Sequence, residues 1–447
     1  MGWIKEKYNS DGIFYLVSVL FAFVFCFAVR ARDDIGTNLL ENGTLCGYWQ
    51  KSAGLYQTWS SRVLINFLIF IFTDHVLAVW AFFMGVSMFV LLKAFSILLA
   101  GDGRGHGDRK SGHVIACLVM LYPFQDLSSA GWISTMTTYF SPIAFGFMSL
   151  VPIQKRKQGE GLRRWEYAAY ALCLLFGADN EQMMVVLAAC YLVAVLYFAV
   201  QRNVSRYVVF LFLLAVGRGF LTMFCPGNQV RKQAEVAAWF PSYGMLNIVD
   251  KADLGLFTTL EWIFLDCHVF TVVICIGLAC LVWRKYRDWT IRMICLFPAA
   301  VSVFLYPVFH LLSVGGVSYY GLVTAENRGG WRAFSLYFVL SFAAAVVCLE
   351  LFLLLDDLWD LLGALVLLAA GMASRAAMGF SPTIYASGPR TCSVLGFCMI
   401  AAGLFVLFGN VPPRVWQGGR ARWVYALDVV VLGAFLKLWG YVLSGVL

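Results

Sequence analysis

The sequence predicts an all-α fold, a single polytopic bundle of about thirteen transmembrane helices over residues 1–447. Three observations predict it. Hydrophobic residues make up 61% of the chain and charged ones only 13%, where soluble domains carry about a quarter charged. Charge-free runs such as HVLAVWAFFMGVSMFVLL and MMVVLAACYLVAVLYFAV match the roughly 20 residues that a helix needs to cross a bilayer. Irregular backbone cannot face lipid, so the spans read as helices. A soluble fold is excluded. The net charge of +8 reads as an orientation signal, not as a nucleic-acid footprint.

The spans fall near 13–30, 75–99, 113–125, 136–153, 166–178, 183–200, 207–224, 259–282, 293–312, 333–355, 361–379, 392–409 and 423–442. The first follows MGWIKEKYNSDG with no small-residue cleavage site, so it reads as a retained helix. It ends in AVRARDD. The second closes at GDGRGHGDRK, the third at QD and the fourth at QKRK. The fifth is short and stops at GADNEQ, from which the sixth departs. The seventh closes at CPGNQ, the eighth at WRKYR, the ninth at SVGG, the tenth at DDLWD, the eleventh at GFSP and the twelfth at GNVPPR. No internal repeat is evident, which weighs against a transporter built from two inverted halves. The 13 cysteines lie mostly inside apolar runs without a CxxC pair and read as small core residues. Cys46 and Cys225 could both lie outside, where a disulfide is possible but has no support from spacing.

Positive charge collects in alternate connections: Lys5 and Lys7; Arg104, Arg109 and Lys110; Lys155, Arg156, Lys157, Arg163 and Arg164; Arg202 and Arg206; Arg284, Lys285, Arg287 and Arg292; Arg414, Arg420 and Arg422. These are cytoplasmic by the positive-inside rule. The acidic DDLWD at 356–360 is the exception, and acidic residues weigh little in that rule. The other connections, 31–62, 126–135, 179–182, 225–258, 313–332 and 380–391, are then extracytoplasmic. They are longer and chemically richer.

That face offers Asp33, Asp34, Glu41 and Arg62; Asp179, Asn180 and Glu181; Asn228, Arg231 and Lys232; Glu261, Asp266 and His268; Glu326, Arg328 and Arg332; Tyr385 and Arg390. Carboxylates accept protons or hold a divalent cation. Arginines clamp phosphate with paired donors. Together they suggest group transfer from a lipid phosphate. Each also has a structural reading. One of the adjacent aspartates suits an N-cap of a helix through IGTNLL, and PGNQ and SPTIYASGPR are turn chemistry. Arg328 and Arg332 suit anchors that snorkel to headgroups. Glu261 and His268 are seven apart and would share one helix face, but no second histidine is near enough to suggest zinc. Asn42-Gly43-Thr44 is a glycosylation sequon by pattern alone.

The order of motifs resembles a bacterial subgroup of the GT-C superfamily of polytopic glycosyltransferases. The residues that carry the resemblance are Asp33-Asp34 after the first span, Trp59 to Arg62, Asn180-Glu181-Gln182, Pro226-Gly227-Asn228 with Arg231, and Ser381-Pro382 to Arg390. It spans most of the chain. The NEQ turn departs from the commoner HEN form, and the large soluble domain of some members is absent. The resemblance implies a GT-C-like bundle that moves a sugar from a polyprenyl-phosphate donor to a cell-surface glycan or lipid-linked glycan acceptor. Asp33 or Asp34 would be the catalytic base, with Glu181 supporting it or holding a divalent cation. Arg62, Asn180, Arg231, Arg328, Arg332 and Arg390 would form the substrate-binding pool, and transfer would invert the anomeric centre. The rival expectations are a transporter or flippase for a lipid-linked glycan, and a glycan polymerase or ligase.

Overall fold

The computed structural model describes residues 11–36, 43–99, 109–266, 268–314, 331–411 and 422–444. Among them every regular element is helical. Eight helices are long and apolar enough to cross a membrane: Leu77–Leu98, Trp132–Lys157, Glu181–Val200, Arg206–Met223, Phe334–Leu354, Leu358–Phe380, Gly388–Asn410 and Arg422–Ser444. A ninth forms if the bent pair Ile248–Phe264 and Val269–Lys285 counts as one crossing. Other expected spans are shorter helices: Asp11–Phe25, Arg109–Met120, Arg164–Gly177, and Trp289–Cys295 followed by Phe297–Val314.

Two expected loops are largely helical. The 31–62 region contains Leu45–Thr58, capped by the Thr44 side chain on the Gly47 N–H. The 225–258 region contains Pro226–Trp239 and the start of Ile248–Phe264. The PGNQ signal therefore opens a helix and not a turn, because Pro226 stands in the first turn, where its missing N–H costs nothing. The apolar helix Val63–Asp74 was not foreseen, since twelve residues rise only about 18 Å.

One apolar core runs through most of the helices, and a smaller one lies around Val282, Leu351 and Val406. Aromatic edges join distant segments. Phe25 meets Trp80 and Trp132 at 5.3 Å between ring centres, and Phe21 meets Phe124 and Phe140 at 5.1 and 5.4 Å. These contacts bring the end of the first helix against the start of the Trp132–Thr138 helix.

At the end of the bundle rich in basic residues, carboxylates answer lysines. Lys155 pairs with Glu166 at 2.6 Å, Lys157 with Asp360 at 2.8 Å and Lys285 with Asp356 at 2.7 Å. Asp357 caps the next helix through the N–H groups of Trp359 and Asp360. The acidic run among basic connections thus has local partners for each of its charges.

Candidate functional site

The opposite end of the bundle gathers the residues singled out in the sequence. The chain leaves the first helix and passes Arg32 in the left-handed region, at φ 50°. It then makes one helical turn, Asp33–Gly36. The two aspartates diverge there. Asp34 is fully buried, whereas Asp33 is exposed. Asp34 Oδ2 accepts from the Ile133 N–H at 3.2 Å and Oδ1 from the Ser134 N–H at 2.8 Å. It caps a helix about a hundred residues away, and not the IGTNLL segment. Gly131, just before that helix, has φ 101°. A Cβ there would lie 2.5 Å from the Asp34 carboxyl. Burial pushes the Asp34 carboxyl above its ordinary range, and the hydrogen bonds from Ser134 and Ile133 oppose it.

Asp33 keeps its side chain outward while its N–H donates to the Ala130 carbonyl at 3.2 Å. Beside it two guanidiniums converge on one residue. Arg32 donates to the Ser129 carbonyl, and Arg390 Nη1 to the Ser129 hydroxyl at 3.3 Å. Arg390 belongs to the expected pool. Arg32 lies outside that pool.

The DNEQ turn sends four successive side chains to separate elements. Asp179 accepts from the Ile65 N–H at 2.8 Å and pairs with Arg218. Asn180 Oδ1 caps its own helix through the Gln182 and Met183 N–H groups, and its Nδ2 donates to the Thr138 carbonyl at 3.0 Å. Glu181 receives Arg62 Nε at 2.7 Å and the Ser61 hydroxyl at 3.1 Å. Gln182 Nε2 donates to the carbonyls of Ser374 and Thr391 at 3.2 and 2.8 Å. Asp179 is raised by burial, with Arg218 opposing. Arg218 was missed; its signal was a lone arginine inside the apolar run LLAVGRGF, the position where an ion needs a partner.

The remaining arginines differ in their partners. Arg62 is bound to Glu181 and faces the Tyr139 ring at 5.8 Å. Burial disfavours its charge, but Glu181 and Tyr139 more than offset that. Arg231 pairs with Glu235 one turn on at 2.7 Å, and its field reaches Glu181. Its helix starts against the Trp59 turn. A Cβ on Gly227 would lie 2.4 Å from the Trp59 nitrogen, so only glycine allows the approach. Among the described residues no carboxylate pairs with Arg390. Arg328 lies outside the described residues, as do Glu41, Asn42 and Glu326. Arg332 is in the first turn of the Trp331–Leu354 helix, and its side chain lies outside the description.

Glu261 and His268 do not share a helix face. The helix carrying Glu261 stops at Phe264, and His268 precedes the next one. Cys46 and Cys225 are both free, with Cys225 Sγ donating to the Tyr56 carbonyl at 3.0 Å. Among the described residues no three His, Cys, Asp or Glu side chains are placed to hold a metal ion.

The site therefore has two halves, one at each end of the buried Trp132–Thr138 helix. Seven residues span about 10 Å. One half holds exposed Asp33 with Arg32 and Arg390. The other holds the Arg62–Glu181 and Arg218–Asp179 pairs. The first half can take up a proton and hold an anion. The second is already neutralised and fixes geometry. No protein-family model matches the chain, and no curated protein or solved structure matches it either.

Proposed function

We propose that this chain is a membrane glycosyltransferase of GT-C type. It moves a sugar from a polyprenyl-phosphate donor to a cell-surface glycan on the extracytoplasmic side of the cytoplasmic membrane. The observation that carries the reading is the exposed Asp33 beside Arg32 and Arg390, with Asp34 committed to a cap. Asp33 would deprotonate the acceptor hydroxyl. The hydroxyl oxygen attacks the anomeric carbon as its bond to phosphate breaks, with oxocarbenium character between. The lipid phosphate leaves with the electron pair, and Arg32 and Arg390 stabilise its charge. Each guanidinium spends one bond on Ser129 and has further donors for the phosphate. A single displacement inverts the anomeric centre. Asn180 and Glu181 position the site, and Arg62 and Arg231 supply field more than contact.

The basic connections orient the other end of the bundle toward the cytoplasm. The shorter apolar helices complete about thirteen crossings in the same proposal. Nucleotide sugars are confined to the cytoplasm, so an activated donor on the far side has to come through the bilayer on a lipid. Mass spectrometry of surface glycans tests the reading. A strain deleted for this chain should lack one sugar substituent, restored by the wild-type chain and not by Asp33→Asn.

A second reading, a transporter or flippase for a lipid-linked glycan, is favoured by Glu350. This carboxylate lies within the Phe334–Leu354 helix, fully buried, with neither oxygen partnered among the described residues. Ionisable groups inside spans commonly mark transport paths. Loss of lipid-linked glycan translocation in Glu350→Gln, with transfer intact, would support it. A polymerase or ligase would need the arginines and not Asp33.

A further inference from the structure

The connection between the Arg206–Met223 and Ile248–Phe264 helices carries apolar side chains that the bundle leaves uncovered, and the transfer step above uses none of them. Met223 and Phe224 open it at 77% and 72% exposure, and Met245, Ile248 and Val249 close it at 80%, 75% and 74%. No large apolar side chain among the described residues is more exposed than Met245. Trp239, at the end of the Pro226–Trp239 helix, is exposed too. The other side of that helix is held by the protein. It packs on the Leu45–Thr58 helix, with Gly227 against the Trp59 nitrogen.

Polar groups beside these residues are matched within the segment. Asn247 Oδ1 accepts from the Asp250 N–H at 2.9 Å, and Asp250 Oδ2 from the Asn247 N–H at 3.1 Å. Ile248 and Val249 thus stand on a helix start that is already capped. Glu235 holds Arg231 at 2.7 Å. Lys251 and Lys232 lie over the Tyr243 ring at 4.5 and 6.0 Å. Charge is balanced along the connection, with Arg231, Lys232 and Lys251 against Glu235, Asp250 and Asp253. It neither draws the segment to a surface nor drives it off, so the apolar side chains decide.

An exposed apolar patch marks contact with another protein or with a membrane. Position in the chain favours the membrane. The connection begins where the Arg206–Met223 helix, long and apolar enough to span, comes to an end. Met223 and Phe224 continue the apolar surface that Phe210, Leu213, Phe220 and Leu221 of that helix turn outward, which in a spanning helix meets lipid. Its far end enters the bent pair of helices, so the chain leaves and rejoins the membrane on one side. Side chains about three-quarters exposed project singly. Fluid hydrocarbon takes such projections without a matching surface, and tryptophan is enriched at headgroup depth.

We propose that Met223, Phe224, Trp239, Met245, Ile248 and Val249 insert into the lipid leaflet on the side of the candidate site. They anchor the Pro226–Trp239 helix along the membrane surface, as interfacial helices are anchored by their apolar side. Lys232 and Lys251 extend toward the phosphates that every phospholipid carries. Insertion is independent of the transferase reading. That the leaflet is the outer one rests on the basic connections lying inside. Through Gly227 the anchored helix also steadies the Trp59 turn.

The test uses the full-length chain in phosphatidylcholine nanodiscs, with the acyl chains plain or brominated. Trp239 emission is read as the difference between the wild type and Trp239→Phe. Bromolipid should quench most of that difference, and aqueous iodide little of it. An environment-sensitive dye on Met245→Cys or Ile248→Cys, in a background cleared of native cysteines, should emit to the blue and respond to bromolipid in the same way. On Glu160→Cys, in an exposed basic connection, the dye should respond to iodide alone. The Trp239 reading keeps the native cysteines, so it decides the matter should the cleared background fold poorly. Iodide quenching of Trp239 or of either dye, without bromolipid quenching, would overturn the anchor. Protection from both quenchers would do the same, since it puts protein over the patch.

Discussion

Asp34 and Asn180 hold opposite ends of one helix. Asp34 accepts from the N–H groups of Ile133 and Ser134, while Asn180 donates to the carbonyl of Thr138. Both close backbone groups that a buried helix end would otherwise leave open. The motifs after the first span and at mid-chain are therefore coupled through a seven-residue rod that neither contains. Its two ends separate the chemistry at Asp33 from the ion pairs at Glu181.

The cap gives a stability prediction. Asp34→Ala leaves two buried N–H groups unmatched, so unfolding stability should fall by about 2–4 kcal/mol. Asp34→Asn keeps one acceptor and should cost less. Thermal midpoints in detergent measure both, and an unchanged Asp34→Ala midpoint would remove the cap from the account.

Gly131 supports the same contact. Gly131→Ala needs a left-handed backbone and puts a methyl group 2.5 Å from the Asp34 carboxyl. A loss of about 2 kcal/mol or more is expected from strain plus displacement of the cap. In an Asp34→Ala background the loss should shrink but not vanish, because the contact with the carboxyl is gone while the approach to the Ala31 carbonyl at 2.6 Å and the strained backbone remain, and a double-mutant cycle reads that difference.

Arg62 and Glu181 form a part-buried pair. Removing either partner leaves the other uncompensated, so Arg62→Met and Glu181→Gln should each destabilise, and the double variant by less than the sum. A coupling of about 1–2 kcal/mol is expected for contacting, hydrogen-bonded charges. Additive effects would show the pair to be solvated and energetically idle.

Asp126 gives a pH dependence. Burial, with the negative charge of Asp266, pushes its carboxyl up to about 7, against 3.8 ordinarily. The Trp262 N–H and the Lys437 cation oppose that shift without cancelling it. The folded protein holds this proton between pH 4 and 7 while the unfolded chain does not, so stability falls as pH rises across that window. The slope approaches about 1.4 kcal/mol per pH unit for one proton. It vanishes below about 4, where both states are protonated, and above about 7, where neither is. Asp126→Asn should flatten the profile of thermal midpoint against pH, and an unaltered slope would assign the proton elsewhere.

Sidedness is a separate prediction. In a background cleared of native cysteines, Lys51→Cys should label from outside the cell and Gln158→Cys only after permeabilisation, because basic connections stay inside. Labelling of Gln158→Cys from outside would invert the map.

Much of this was legible in the sequence. Long charge-free runs such as Met183–Val200 announced helices because a bilayer permits little else, and DD, NEQ, PGN and SP elements fell at one end of the bundle. What could not be read was partnership across distance. Nothing in IGTNLL tells that Asp34 turns away to cap residue 132's helix. Arg62 and Arg231 looked like free phosphate clamps, since Glu181 and Glu235 become partners only in the folded chain. Helix ends were misjudged where composition was polar but capped, as at Thr44 and Asn247. Arg32 was overlooked because its role depends on a left-handed backbone that no pattern shows.

The central claim is that Asp33 is the base and Asp34 is structural. The most direct measurement is sugar transfer from a synthetic polyprenyl-phosphate donor by purified, folded wild-type, Asp33→Asn and Asp34→Asn proteins. Asparagine preserves shape but takes no proton, so Asp33→Asn should lose about two to four orders of magnitude in rate. Asp34→Asn should keep most of its turnover and melt at a lower temperature. Transfer by Asp33→Asn at the wild-type rate would contradict the account.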